Sequence, residues 1–174
     1  MLLPRRLLKV SLGIALAVGV SEAHSANAPA DSAEALHKKE CSTCHTAYQA
    51  YFLPAASWEK IMAGLNKHFG ENAELGAEEQ AAITQYLVAN AADHGKDKRG
   101  ARVMSALSGK ETPLRLTETP YIIKMHHEVP KKIFVNNPKL KSLSDCGACH
   151  PGAANGNYDE HQVKIPGTKN WEKD

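Results

Sequence analysis

Apolar residues recur at intervals of three and four in two stretches of this 174-residue chain, as in helices that bury one face. The first stretch starts at Ser57, a suitable N-cap, and continues through Trp58 and Leu65 until Gly70, which is predicted to end the helix. The second stretch, residues 77–92, repeats the pattern with aliphatic side chains along one face. Both stretches predict amphipathic helices of ordinary length.

Shorter helices are predicted over residues 32–40, 102–107 and 121–128. Thr119 followed by Pro120 is the order of an N-cap and a first helical residue, and it marks the start of the last of these helices. The whole pattern predicts a mainly α protein. Polar stretches that predict a linker or loops lie at residues 95–100, 131–143 and 155–174.

The beginning of the chain has the layout of a secretory signal peptide. Three basic residues precede an apolar run at positions 10–20, and small residues follow it. The run is about half the ~20 residues that a membrane-spanning helix needs. We therefore expect residues 1–25 to be a signal peptide, cleaved near positions 25–28, and the mature protein to reside in the periplasm without a transmembrane anchor.

The net charge of the chain gives no support for binding to polyanionic partners. The chain has 21 Lys and Arg residues against 19 Asp and Glu residues, and removing the signal (Arg5, Arg6, Lys9 and Glu22) leaves 18 of each. A neutral mature chain gives no indication of binding to nucleic acid or to an anionic membrane surface.

All four cysteines of the chain fall in two copies of one motif. Residues 41–45 read Cys-Ser-Thr-Cys-His, and residues 146–150 read Cys-Gly-Ala-Cys-His. Two thiols at this spacing reach the two vinyl groups of one haem, and the following histidine ligates its iron. Two disulfides or one zinc site would also use four cysteines, but neither explains a histidine after each pair. The motifs predict two covalent haem c groups at Cys41, Cys44 and His45, and at Cys146, Cys149 and His150.

Each iron of an electron carrier needs a sixth ligand, and a histidine on an apolar helix face is available near each motif. His68 continues the stripe of Ile61 and Leu65, and His126 follows Ile122 and Ile123 at helical spacing. His68 and His126 are the preferred ligands. The alternatives that stay open are Met62 for the first haem, and His127 or Met125 for the second; His94 and His161 are expected at the surface, and His24, His37 and Met104 complete the available donors.

The motif and its ligand change order between the two halves. His45 precedes His68, whereas His126 precedes His150, so the halves are not a tandem repeat. Helix, motif, ligand and closing helix in the first half is the order of a class I cytochrome c. We expect such a haem domain at residues 29–94, a linker at 95–100, and a small, less regular haem domain at 101–174.

Beyond the two motifs, further short segments resemble the bacterial dihaem cytochrome c family, and the resemblance covers nearly the whole mature chain. These segments are Leu53-Pro54-Ala55, Ser57-Trp58, residues 61–65, residues 68–73, residues 86–93, Thr117-Glu118-Thr119-Pro120, His126 and Glu128-Val129-Pro130.

The resemblance implies two low-potential haems, each ligated by two histidines, with His68 and His126 at the matching positions. His127 stands where the family more often has arginine. The resemblance also implies redox partners: a small oxygen-binding monohaem cytochrome c, linked to a membrane b-type cytochrome.

The expected function is therefore outer-sphere electron transfer, not enzyme catalysis. Two imidazoles on each iron leave no open position for a substrate. The competing interpretation is a haem enzyme or gas sensor, which needs one iron with an open or labile position.

Overall fold

The structure is a computed structural model, and it describes residues 30–108, 111–135, 137, 139–140 and 142–168. The predicted signal peptide and its cleavage site lie outside the described residues. Among the described residues there are α-helices and 3₁₀ turns and no named strand, which confirms the prediction of a mainly α protein. The α-helices are α1 (Ala30–Cys41), α2 (Ala55–Ala63), α3 (Ala77–Ala89), α4 (Lys98–Ala106), α5 (Pro120–Met125) and α6 (Cys146–Cys149).

The core forms where α3 packs against both α1 and α2. Ile83 and Leu87, on the predicted apolar face of α3, are buried completely or nearly so. The backbone N–H of Ala92 donates to the carbonyl of Leu53 over 2.9 Å, and this bond ties the end of α3 to the segment before α2. Burial of these aliphatic side chains is the main stabilising term for helices this short.

The helix predicted over residues 57–69 is wrong at both ends. It begins at Ala55 after Pro54, and it ends at Ala63 because the chain leaves helical geometry at Gly64. Ser57 is not the N-cap; its side chain is fully buried inside α2. The consequence for the site is that His68 lies beyond a 3₁₀ turn and not on the stripe of a continuous helix.

The stretch predicted as a linker is partly helical. α4 begins at Lys98, and the side chain of Asp97 caps it by accepting from the backbone N–H of Arg99 over 2.8 Å. Gly100 is buried, and a Cβ there would lie 2.9 Å from the carbonyl oxygen of Ala92, so only glycine lets α4 cross the end of α3 this closely.

Residues from both sides of the predicted linker share the core. Val103 of α4 and Ile122 of α5 belong to the same buried cluster as Leu53 and Leu87. The division into two haem domains stays a prediction. None of the helices in the described part of the chain is long and apolar enough to cross a membrane.

Candidate haem sites

The first motif lies where α1 ends. Cys41 is the last helical residue, and the following turn carries Cys44 and His45. The hydroxyl of Thr43 donates to the carbonyl of Glu40 over 2.8 Å and holds this turn against the helix. Both thiols and the histidine therefore project from one turn of chain.

The second motif forms its own short helix, α6. The backbone N–H of His150 donates to the carbonyl of Cys146 over 2.8 Å, so the histidine directly ends the helical turn. Asp145 stands at the N-cap of α6, but its side chain makes no capping hydrogen bond.

The four thiols are free. Burial raises the pKa of Cys41 and of Cys146 to about 11, and burial also raises the pKa of Cys149. These thiols are protonated at neutral pH, and a thiol that adds across a vinyl group supplies both its sulfur and its hydrogen to the thioether product.

His45 and His68 face each other. Their ring centroids are 6.1 Å apart, and the ring planes differ by 21°. Nδ1 of His45 donates to the carbonyl of Thr46 over 2.8 Å, which leaves Nε2 free as an acceptor. Burial, with His45 nearby, lowers the pKa of His68, so that ring is neutral and its lone pair is available at pH 7.

A strained turn follows His68. Phe69 has a φ of 52°, in the left-handed region that aromatic residues avoid, and Gly70 follows with a φ of 106°. The guanidinium of Arg115 lies 4.4 Å above the Phe69 ring and links the turn to the second half of the chain. This turn, and not a helix, therefore positions His68.

His126 and His150 form the second pair. Their centroids are also 6.1 Å apart, but the ring planes are nearly perpendicular, at 86°. Nδ1 of His126 donates to the carbonyl of Ile122 over 2.9 Å, and α5 is anchored by Thr119, whose hydroxyl caps Ile122 as predicted. Burial, with His126 nearby, lowers the pKa of His150.

The residues fit a haem in each place. With metal–nitrogen bonds of about 2.0 Å, two imidazoles on opposite sides of one metal have ring centres roughly 6 Å apart. The separation of 6.1 Å in both pairs matches this value. In the second site, both thiols and both histidines line one cavity of about 790 Å³. Within the described ranges, no group of three or more His, Cys, Asp or Glu residues is arranged to hold a bare metal ion.

The other candidate ligands lie at the surface or in the core, and two of them also line the cavity of the second site. His127 is exposed and its Nδ1 donates to the carbonyl of Lys124, so the structure brings His126 and not His127 to the second motif. Met62 is buried in the core, and His94 is exposed beside Asp93. His161 is exposed but lines the cavity around His150. Met125 is exposed, lining the same cavity.

A family model described as dihaem cytochrome c matches residues 37–158, which is more than half of the chain. The chain belongs to the dihaem cytochrome c family. A dihaem cytochrome c from Shewanella baltica OS155, solved by X-ray crystallography, is 37% identical, with a TM-score of 0.66; the match covers 80% of this chain and 98% of that one. A dihaem cytochrome c from Rhodobacter sphaeroides is 42% identical, with a TM-score of 0.64, over 71% of this chain and 95% of that one. No curated protein matches significantly.

Membership of the dihaem cytochrome c family has direct consequences. The protein carries two covalent haem c groups, and the two cysteine pairs, Cys41 with Cys44 and Cys146 with Cys149, fit the attachment. The family consists of electron-transfer haem proteins, so it points to an electron carrier and not to an enzyme. Ligation of the irons by His68 and His126 stays a prediction.

Sequence reasoning missed several residues around the sites. The ring of Tyr158 lies 5.3 Å from that of His150, although the polar, glycine-rich tail around it gave no sign of a packed aromatic residue. Arg99 stacks on Tyr51 at 4.1 Å and donates to the carbonyl of Gly156, in a stretch expected to be a linker. Neither contact has a signal in local sequence.

Proposed function

We propose that this dihaem cytochrome c is a periplasmic electron-transfer protein whose two haems have low potentials and two histidine ligands each. The pairs are His45 with His68 and His126 with His150. The observation that carries the proposal is the equal 6.1 Å separation of the rings in both pairs, each of which contains one motif histidine.

A bound haem supplies a one-electron couple, and the protein sets its potential. Methionine as an axial ligand raises the potential, so two imidazoles keep it low. Imidazole on both faces also leaves no position for oxygen, carbon monoxide or a substrate. The candidate methionine of the first half, Met62, is buried in the core, and this supports histidine as the ligand.

Main-chain carbonyls orient one ring in each pair. Thr46 accepts from Nδ1 of His45, and Ile122 accepts from Nδ1 of His126. Such bonds fix the tautomer, present Nε2 to the metal and make the ring more basic. A more basic ring stabilises the oxidised metal, and this lowers the potential further.

The proposed setting comes from resemblance and from the start of the chain. The signal-peptide pattern of residues 1–25 supports export to the periplasm. The proposed partners are a small oxygen-binding monohaem cytochrome c and a membrane b-type cytochrome. We also propose two haem domains, 29–94 and 101–174, although they share buried contacts.

The test is to replace each proposed ligand in the holoprotein. His68→Ala and His126→Ala should each convert one haem from low spin to high spin and let that iron bind carbon monoxide. The near-infrared ligand band of the unaltered protein should report two histidines on each iron, and both potentials should be negative.

His127→Ala and His94→Ala are the matched controls, because both rings are exposed and bonded to their own helix region. Both control proteins should keep two low-spin haems. A low-spin spectrum with unchanged potentials in His126→Ala, together with high spin in His127→Ala, would transfer the role to His127. Carbon monoxide binding by the unaltered reduced protein at either iron would support a gas sensor or enzyme instead.

A further inference from the structure

The residue after the first motif contacts both motifs. The carbonyl of Thr46 accepts from Nδ1 of His45 over 2.8 Å, and its hydroxyl accepts from the backbone N–H of Gly147 over 3.2 Å. Gly147 lies between the two cysteines of the second motif. Thr46 is thus hydrogen-bonded both to the motif histidine of the first site and to the cysteine-bearing turn of the second site.

The glycine at position 147 makes this approach possible. A Cβ there would lie 3.3 Å from Oγ1 of Thr46, closer than ordinary van der Waals contact. A larger residue would make the Thr46 hydroxyl move by some tenths of an ångström and so disturb its bond to the Gly147 N–H.

Two tyrosines cross between the sites in a reciprocal way. Tyr48 stacks on His45, with centroids 4.7 Å apart and planes at 15°, and its hydroxyl donates to the carbonyl of Ser144 over 2.7 Å. Tyr158 packs against His150 at 5.3 Å, and its hydroxyl donates to Oε1 of Gln49 over 2.6 Å. Each motif histidine therefore contacts a tyrosine that is hydrogen-bonded to the opposite half of the chain.

Both hydroxyls donate in these bonds, because a carbonyl oxygen and an amide oxygen can only accept. Gln49 completes the connection, because its Nε2 donates to the carbonyl of Ala153 over 2.9 Å. Ring contacts, hydrogen bonds and the covalent link between Tyr48 and Gln49 form a continuous path from one motif histidine to the other.

We propose that Thr46, Tyr48, Gln49, Gly147 and Tyr158, named here the inter-motif bridge, position the two haem sites against each other and carry electron exchange between them. The proposal rests on the proposed function, since it assumes that His45 and His150 ligate the two irons. Electronic coupling falls off much less steeply through bonds and hydrogen bonds than through empty space.

Electron exchange between the haems requires no chemical change in the residues of the bridge. With both haems bound, one would be oxidised by one electron and the other reduced by the same electron, so the haems would supply both redox partners. No bond forms or breaks, and the tyrosine hydroxyls keep their protons. The bridge residues are positioning residues, and none of them is reduced or oxidised.

The experiment uses the holoprotein with Thr46→Val, Tyr48→Phe and Tyr158→Phe. Each change keeps the shape of the side chain and removes one hydroxyl of the bridge. Exchange of an electron between the haems is measured by NMR exchange spectroscopy of the haem methyl signals at half reduction. We expect each variant to slow the exchange several-fold while both haems stay low spin, and Thr46→Ser to restore the rate.

Thr84→Val and Tyr86→Phe are the matched controls. The hydroxyl of Thr84 donates within α3 to the carbonyl of Gln80, and Tyr86 packs on His37, so neither belongs to the bridge. Their exchange rates should equal that of the unaltered protein. Unchanged rates in all three bridge variants, or equal slowing in the controls, would overturn the proposal.

Different results would refute the proposed ligation and the proposed role of the inter-motif bridge. If the unaltered protein shows a high-spin or methionine-ligated iron, the proposed ligation is wrong whatever the bridge variants do. If Thr46→Val does not fold, the two Tyr→Phe variants, which keep both ring contacts, decide the result alone.

Discussion

His37 is a buried histidine of α1 that belongs to neither ring pair. Its side chain is 3% exposed between α1 and α3, with its ring 5.6 Å from that of Tyr86, and its Nδ1 has no hydrogen-bond partner. Burial lowers the pKa of His37 from 6.5 to about 4, against the opposing charge of Glu34. We predict that His37→Phe stabilises the protein and makes its stability less dependent on pH.

The sign follows from where the proton binds. The unfolded chain takes up a proton on this histidine at pH 6.5, whereas the folded protein takes it up only near pH 4. The stability of the folded state is therefore complete above pH 6.5 and falls as the pH decreases to 4. One unit of difference in pKa is worth about 1.4 kcal/mol. The lowering of the His37 pKa from 6.5 to about 4 therefore corresponds to a loss of about 3 kcal/mol in the free energy of unfolding.

Replacement by phenylalanine removes this loss and also removes an unpaired buried nitrogen, which costs about 1–3 kcal/mol at any pH. The assay is guanidinium unfolding of the holoprotein between pH 7 and pH 4, followed by circular dichroism. The difference between His37→Phe and the unaltered protein should grow by about 3 kcal/mol over this range. His94→Phe, at an exposed position, is the control. Parallel stability curves for His37→Phe and the unaltered protein would refute the assignment of a buried neutral ring.

Three further substitutions have expected outcomes. Thr119→Ala removes the cap of α5 and should lower the free energy of unfolding by about 1 kcal/mol in a guanidinium titration, with Thr119→Ser near the original value. Arg99→Lys loses the 2.7 Å hydrogen bond to the carbonyl of Gly156, so amide hydrogen exchange around Gly156 should become faster while α3 is unaffected. Gly100→Ala places a methyl group 2.9 Å from the carbonyl oxygen of Ala92 and should lower the midpoint of thermal unfolding, at a cost of about 1–3 kcal/mol.

The sequence is a good guide where helix signals are local. α3 and α5 lie close to their predicted positions because aliphatic spacing marks the first, and Thr119-Pro120 marks the start of the second. The predicted C-terminal end of α2 is wrong because the apolar spacing continues past Gly64, whereas the backbone leaves helical geometry at this residue. Tertiary packing decides such cases: Ser57 is a good N-cap by type, yet it is buried within the helix.

The same distinction applies to the site. Cysteine spacing is a local feature and identifies His45 and His150, and helical spacing after Ile122 identifies His126. The prediction of His68 rests on a helical stripe that the structure does not contain, although His68 does pair with His45. The bridge between the motifs joins residues that are far apart in sequence, such as Gln49 and Tyr158. A single sequence holds no signal for such pairs, because a tyrosine in a polar tail looks like any exposed residue.

The two haem sites differ in almost every local feature and agree in one distance. His68 follows a strained turn and His126 ends a capped helix, and the plane angles of the pairs are 21° and 86°. In the first pair, the motif histidine His45 donates to a main-chain carbonyl. In the second pair the donor is His126, which lies outside the motif. The 6.1 Å between ring centroids is shared, and it matches the separation of two imidazoles on opposite sides of one metal. An iron between two imidazoles constrains their separation much more strongly than their rotation or their order along the chain. With the proposed ligation, this explains how two halves that are not repeats of each other could present the same pair of histidine rings.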